Sequence, residues 1–166
     1  MEEEYFWAWL AGFFDGEGCF SIGIHKNKDT KFGYQIRPAM EIQISRRDYY
    51  VIQKIRKKLG YGEIIFRRQN HPKWSPLCSI RIRGLDKIFS TIEKIQPYLI
   101  LKKNQCEMFL EACRIIKEKK VWDKESFLKI CKIRDELHER TRPKTYRDSK
   151  FFENVVNSVK PLLEPR

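Results

Sequence analysis

Two stretches of strict two-residue alternation constrain this chain more than any other feature. Cys19 to His25 places Phe20, Ile22 and Ile24 on one side. Tyr34 to Ser45 places Tyr34, Ile36, Met40, Ile42 and Ile44 on one side, and Gln35, Arg37, Glu41 and Gln43 on the other. A period of two marks a strand with one buried face, and the polar stretch Asn27–Gly33 between the runs makes them a hairpin. Ahead of them, Glu2, Glu3 and Glu4 precede an apolar segment that closes on Gly16 and Gly18. Acids favour a helix start and glycines its end, which predicts a helix over Glu4–Asp15.

The pattern then repeats. Asp48 is placed as an N-cap, Val51, Ile52, Ile55 and Leu59 follow at helical spacing, and Gly60 ends that helix. Glu63–Gln69 and Leu77–Arg83 read as a second hairpin around the loop Asn70–Pro76. Leu85–Ile95 is helical, with Leu85, Ile88, Phe89, Ile92 and Ile95 on one face, and Pro97 breaks it. Lys103–Glu118, Lys124–Glu139 and Phe151–Leu163 are three further helices, the last two separated by the basic loop Arg140–Asp148. The order α-β-β-α-β-β-α plus C-terminal helices predicts an α+β fold with helices on one face of an antiparallel sheet. The 166 residues suit one domain, 1–166, and carry no internal repeat.

Composition narrows the partner. The net charge is +12, from 34 basic and 22 acidic residues, which favours a polyanion. Hydrophobic residues make up 42% of the chain, enough for a packed core and against wholesale disorder. The five cysteines (19, 78, 106, 113 and 131) include no C-x-x-C pair, which argues against a disulfide framework or a zinc site and for reduced, mostly buried thiols. The acidic start is the wrong charge for a signal peptide, and Tyr5–Phe14 is too short to span a bilayer, so an intracellular, non-secreted protein without a membrane partner is expected.

The outward face of the expected sheet carries Ser21, His25, Gln35, Arg37, Glu41 and Gln43 on the first hairpin. On the second it carries Glu63, Arg67, Gln69, Ser79, Arg81 and Arg83. Such side chains suit contacts to base edges and phosphates, and a two-stranded ribbon fits the DNA major groove. The bland alternative is an ordinary solvated sheet face. Arg140, Arg142, Lys144 and Arg147 form a second basic patch, suited either to phosphates or simply to water. In the first helix, Ala8, Gly12 and the pair Asp15-Gly16 recur four residues apart, with Ala11 alongside. Small residues on one helix face permit close approach, either to another helix or to the chain's own sheet.

The segment Leu10-Ala11-Gly12-Phe13-Phe14-Asp15-Gly16-Glu17-Gly18 resembles the LAGLIDADG motif of homing endonucleases. Leu10, Ala11, Gly12, Asp15 and Gly18 match it letter for letter, and the motif helix feeds a hairpin as in that family. Ile42–Asp48 resembles the end of the family's second strand, Leu59-Gly60-Tyr61-Gly62 its L-G-x-G turn, and Gln96–Lys103 the segment with its active-site lysine. Thr141–Thr145 lies where homodimeric members hold a DNA-contacting loop. The family core is the same α-β-β-α-β-β-α order, on a saddle-like antiparallel sheet.

The resemblance implies a single-motif, intron-encoded endonuclease that pairs two motif helices in a homodimer and therefore cuts a near-palindromic double-stranded DNA site. Ala8, Ala11, Gly12 and Asp15 would lie at that interface. Cleavage would cross the minor groove and leave short 3′ overhangs with 5′-phosphates. Glu17 and the carbonyl of Gly16 would hold Mg²⁺ (or Mn²⁺, with Ca²⁺ binding but not supporting cleavage), and Lys102 and Arg46 would assist. Two departures stand out: Glu17 replaces the commoner Asp, and Arg46 replaces a water-holding Gln, which suits phosphate better because Arg accepts no hydrogen bond. The alternative functions are a non-cleaving nucleic-acid binder, such as an RNA-binding intron maturase, and a basic structural protein. The retained acid at position 17 favours the enzyme.

Overall fold

The computed structural model describes residues 3–68, 74–119, 123–139 and 146–159. Helix α1 (Glu3–Glu17) runs directly into strand β1 (Gly18–Lys26), which turns back into β2 (Tyr34–Ser45). A short 3₁₀ turn (Arg46–Asp48) leads to α2 (Tyr49–Leu59), then β3 (Glu63–Arg67), β4 (Leu77–Arg83) and α3 (Leu85–Ile95). A second 3₁₀ turn (Gln96–Tyr98) precedes α4 (Lys103–Glu118), α5 (Lys124–Leu137) and α6 (Ser149–Ser158). This is the α+β order expected. α1 is one residue longer at its start and two at its end, and β3 ends at Arg67, two residues early. α6 starts two residues early and ends at Ser158, where Val159 turns extended.

The sheet is fully antiparallel, in the order β1-β2-β4-β3. The two hairpins therefore join through β2 and β4, with Glu41 opposite Arg81 and Gln43 opposite Ser79. β4 pairing begins only at Ala39, so Pro38 lies where β2 has a single neighbour and its missing N–H is tolerated.

The helices cover one sheet face. Phe20, Ile22, Met40, Ile42, Ile80 and Ile82 meet Leu10, Phe14, Ile52, Ile55, Ile88 and Ile92 in one buried cluster. Phe14, Phe20 and Phe109 join α1, β1 and α4 through ring contacts of 4.8 and 4.9 Å. A second aromatic group, Phe32, Tyr34, Phe127 and Phe152, seats α5 and α6 against the loop end of the first hairpin.

Gly18 makes the helix-to-strand join possible. A Cβ there would lie 2.4 Å from the Phe14 ring and 2.5 Å from its carbonyl oxygen. Gly60 ends α2 in the left-handed region (φ 79°) and donates to the Arg56 carbonyl, as a C-cap glycine should. Asp48 occupies the N-cap of α2 without a side-chain capping bond; the capping hydroxyl instead belongs to Ser45, which accepts from Arg47 N–H at the preceding turn. All five cysteines are free, four of them buried, and burial pushes the Cys106, Cys113 and Cys131 thiols up to about 12. No helix among the described residues is long and apolar enough to cross a membrane.

Candidate active site and nucleic-acid interface

Helix α1 presents two different faces. Phe6, Leu10, Ala11 and Phe14 point into the core. The opposite face carries Tyr5, Ala8, Trp9, Gly12, Phe13 and Gly16, with Trp9 stacked on Phe13 at 5.3 Å and still 41% exposed. A Cβ at Gly12 or Gly16 would meet no atom of this chain within 4 Å. The small residues thus divide: Gly12 and Gly16 border open space and Ala8 is half-buried, whereas Ala11 is 0% exposed. Ala11 is therefore corrected from an interface residue to a core residue, because it lies on the stripe with Leu10 and Phe14.

Asp15 needs a similar correction. It is 7% exposed and wholly engaged within the chain. Its Oδ2 accepts the backbone N–H of Ile100 (2.7 Å) and Leu101 (3.1 Å), and its Oδ1 accepts that of Lys102 (2.9 Å). Burial opposes its charge, but these three bonds and the Lys102 ammonium win and hold its carboxyl below the usual range. The motif aspartate is thus a clamp that fastens the segment before α4 to the last turn of α1.

The clamp places Lys102. Its Nζ donates to the Asp15 carbonyl, in the same helical turn that ends with exposed Gly16 and Glu17. Lys102 thus reaches the turn of α1 that carries Gly16 and Glu17. Arg46 follows directly on β2, whose Ile42 pairs with Gly18 at the foot of α1; its backbone N–H bonds the Pro76 carbonyl at 2.8 Å and its guanidinium lies over the Phe66 ring at 5.0 Å. The clamp also displays Ile100 and Leu101, which are 82% and 78% exposed. Sequence reasoning did not single them out, although an Ile-Leu pair between a helix break and a lysine was a visible signal.

The outer sheet face is cross-linked. Glu41 Oε1 accepts from Arg67 at 2.7 Å, and its Oε2 accepts from Arg81 Nε at 2.9 Å and NH2 at 2.7 Å. Arg67 NH1 also donates to Gln43 Oε1 at 2.7 Å. Burial works against the Glu41 charge, yet the Ser79 hydroxyl beside it, its hydrogen bonds with Arg81 and the charges of Arg81 and Arg67 keep the carboxyl below the usual range. Further along, Arg37 donates twice to Gln35 Oε1, at 2.8 and 3.2 Å, and Ser21 donates to the Ala39 carbonyl. Arg83 pairs with Glu63 at 3.4 Å in the open, a contact of small energetic value.

Ser79 is corrected: it is fully buried, a short side chain between Gln43 and Ile65 in the central rows, and offers no surface to a ligand. Gln69, Arg142 and Lys144 lie outside the described residues.

Two basic troughs flank the face. One, of about 400 Å³, is lined by His25, Arg37, Arg81 and Arg83 together with Arg134, His138 and Tyr146. The other, of about 370 Å³, lies near β3 and adds Arg56 and Lys87. Arg134, His138, Arg56 and Lys87 were not expected, because only the tertiary fold carries these helix residues to the sheet.

Comparison with known proteins agrees with this arrangement. The profile of the LAGLIDADG endonuclease family matches residues 10–116 of the chain. DNA endonuclease I-CvuI of Chlorella vulgaris is 32% identical over 107 residues, spanning 64% of this chain and 63% of that protein. DNA endonuclease I-CreI of Chlamydomonas reinhardtii is 21% identical over 159 residues, spanning 96% of this chain and 89% of that protein. The crystal structure of I-CvuI with its target in the presence of Ca superposes with a TM-score of 0.80 at 24% identity, over 94% of this chain and 95% of the other, which shows the shared fold. With motif, clamp and family profile in agreement over most of its length, this chain belongs to the LAGLIDADG endonuclease family.

Proposed function

We propose that this chain is a homodimeric, divalent-metal-dependent homing endonuclease that cuts both strands of a near-palindromic DNA site, leaving short 3′ overhangs. The observation that carries this reading is the end of α1: the Asp15 clamp sets Lys102 beside Gly16 and Glu17, at the foot of a helix face that is bare of side chains at Gly12.

Among the described residues, no three His, Cys, Asp or Glu side chains gather to hold a metal. One chain supplies the Glu17 carboxylate and the Gly16 carbonyl. A two-fold mate doubles this set, and Mg²⁺ is commonly held by one or two carboxylates with phosphate oxygens and waters, so the donors fit. When bound, such a metal stabilises the attacking and leaving oxygens and lowers the pKa of the attacking water. Lys102 adds positive charge where the phosphodiester develops negative charge. Arg46, still rich in donors, holds a flanking phosphate.

Ala8, Gly12 and Gly16 let two α1 helices cross closely, with Tyr5, Trp9 and Phe13 beside the crossing. The outer sheet face enters the major groove, and Arg142 and Lys144 reach phosphates. Residues 1–166 work as one domain, in a compartment that holds DNA. I-CvuI has been crystallised on the I-CreI target with Mg present and the DNA not cleaved, so metal choice belongs in the test.

The test is plasmid cleavage in Mg²⁺ and in Mn²⁺ by wild type and by Glu17→Gln, with gel shift in Ca²⁺. Wild type should cut and Glu17→Gln should bind without cutting. A wild type that shifts its selected target yet cuts it in neither metal overturns the reading in favour of a binding protein.

A further inference from the structure

An acid in the middle of a face meant for phosphate-rich DNA is a puzzle of sign. Glu41 carries a full negative charge at the centre of the outer face, opposite Arg81 and within reach of Arg67. We propose that Glu41 is a positioning residue that splints Arg67 and Arg81 into one rigid guanine-reading unit. The inference rests on the endonuclease reading above and deepens it.

The hydrogen bonds say which donors are spent. Arg81 gives its side-on edge, Nε and NH2, to one oxygen of Glu41, and keeps its end-on edge, NH1 with the second NH2 hydrogen. Arg67 gives its end-on edge to Gln43 and to the other oxygen of Glu41, and keeps Nε with the second NH2 hydrogen. Each guanidinium thus retains one two-donor fork, the element that matches the paired O6 and N7 acceptors of guanine. A free arginine must order several torsions on binding, whereas these two are already held from both sides by one carboxylate. Glu41 is itself largely shielded, with 14% of its side chain exposed, so its charge is spent on the two arginines rather than on DNA. Its role differs from that of a base-contacting residue.

The test is selection of cleaved sites from a library randomised across the target, run on wild type, Glu41→Gln and Glu41→Asp, with melting curves and noncognate binding alongside. Glu41→Gln raises the net charge by one, so noncognate binding should strengthen or hold, while preference for guanine at the one or two neighbouring positions of each half-site read by these forks falls about tenfold. Glu41→Asp keeps the charge on a stem too short to bridge both arginines and should lose the same preference, which covers a poorly folded Gln variant. A loss of base preference confined to those positions supports the splint; a uniform drop at every position, or unchanged preferences in both variants, overturns it. If wild type itself shows no base preference, the endonuclease reading fails and takes this inference with it.

Discussion

The two polar regions of this molecule are finished to different degrees. On the outer sheet face, Glu41, Gln43, Arg67 and Arg81 hold one another in place within a single chain, at 2.7–2.9 Å. At the end of α1, Asp15 and Lys102 are tied down, but Glu17 and Gly16 stand at the surface beside a helix face bordered by open space. The difference separates the tasks. Whatever the sheet recognises, one chain recognises with parts it already holds in place. Under the proposed dimer, the α1 end works with parts of which one chain supplies half.

The largest effect should come from closing the open helix face. Gly12→Leu adds a side chain where this chain has nothing to meet it, and replacing a mid-helix glycine should raise the stability of the single chain by about 0.5–1 kcal/mol. The same change should abolish cleavage and leave a monomer, read by sedimentation and plasmid assay. A stabilised variant that still cuts would erase the contrast between the two regions.

Next in size is the opposite face of the same helix. Phe14→Ala empties a site packed against Phe20 and Gly18 and should cost about 3–5 kcal/mol in chemical denaturation. A cost under 1 kcal/mol would mean that the inward face is not core.

Asp15 sharpens the boundary between the regions. Asp15→Asn loses charge-assisted bonds to three backbone N–H groups and should cost about 2–4 kcal/mol near neutral pH. Because the folded Asp15 carboxyl titrates below its unfolded value of about 3.9, that stability is present at higher pH. It should fade as pH falls below about 4 through the lower folded value, so the gap between wild type and Asp15→Asn narrows in acid. A gap independent of pH would show that the carboxylate charge plays no part in the clamp.

The smallest effect belongs to the flank of the sheet. Arg37→Ala should weaken binding alike on all DNA sequences and make the slope of log K against log salt shallower by about one. A change in base preference instead would move Arg37 into the recognition unit with Arg67 and Arg81.

The sequence made the local parts of this picture legible. Alternation located the first hairpin, because each of its strands shows one face to the helices, and Leu85–Ile95 and Lys103–Glu118 follow the helical period end to end. Contacts between distant segments were hidden. Nothing local to Glu41 says that β2 will lie against β4, so its partners could not be read, and Ser79 looked outward although longer neighbours bury it. The helix α1 was split incorrectly for a similar reason. Ala11 and Asp15 share the small or polar character of Ala8 and Gly12, but three residues of offset turn them toward Leu10 and the Ile100–Lys102 backbone. Glu17 and Lys102 were legible only through the family motif, since one exposed acid and one lysine carry no signal of their own.

Sedimentation of the purified wild-type chain, at the concentration where plasmid cleavage is assayed, tests the proposed two-chain site most directly. A single species of about twice 20.1 kDa, together with double-strand cleavage, is the result expected if two copies of Glu17 complete one site. A 20.1 kDa monomer that cuts both strands under the same conditions would contradict it.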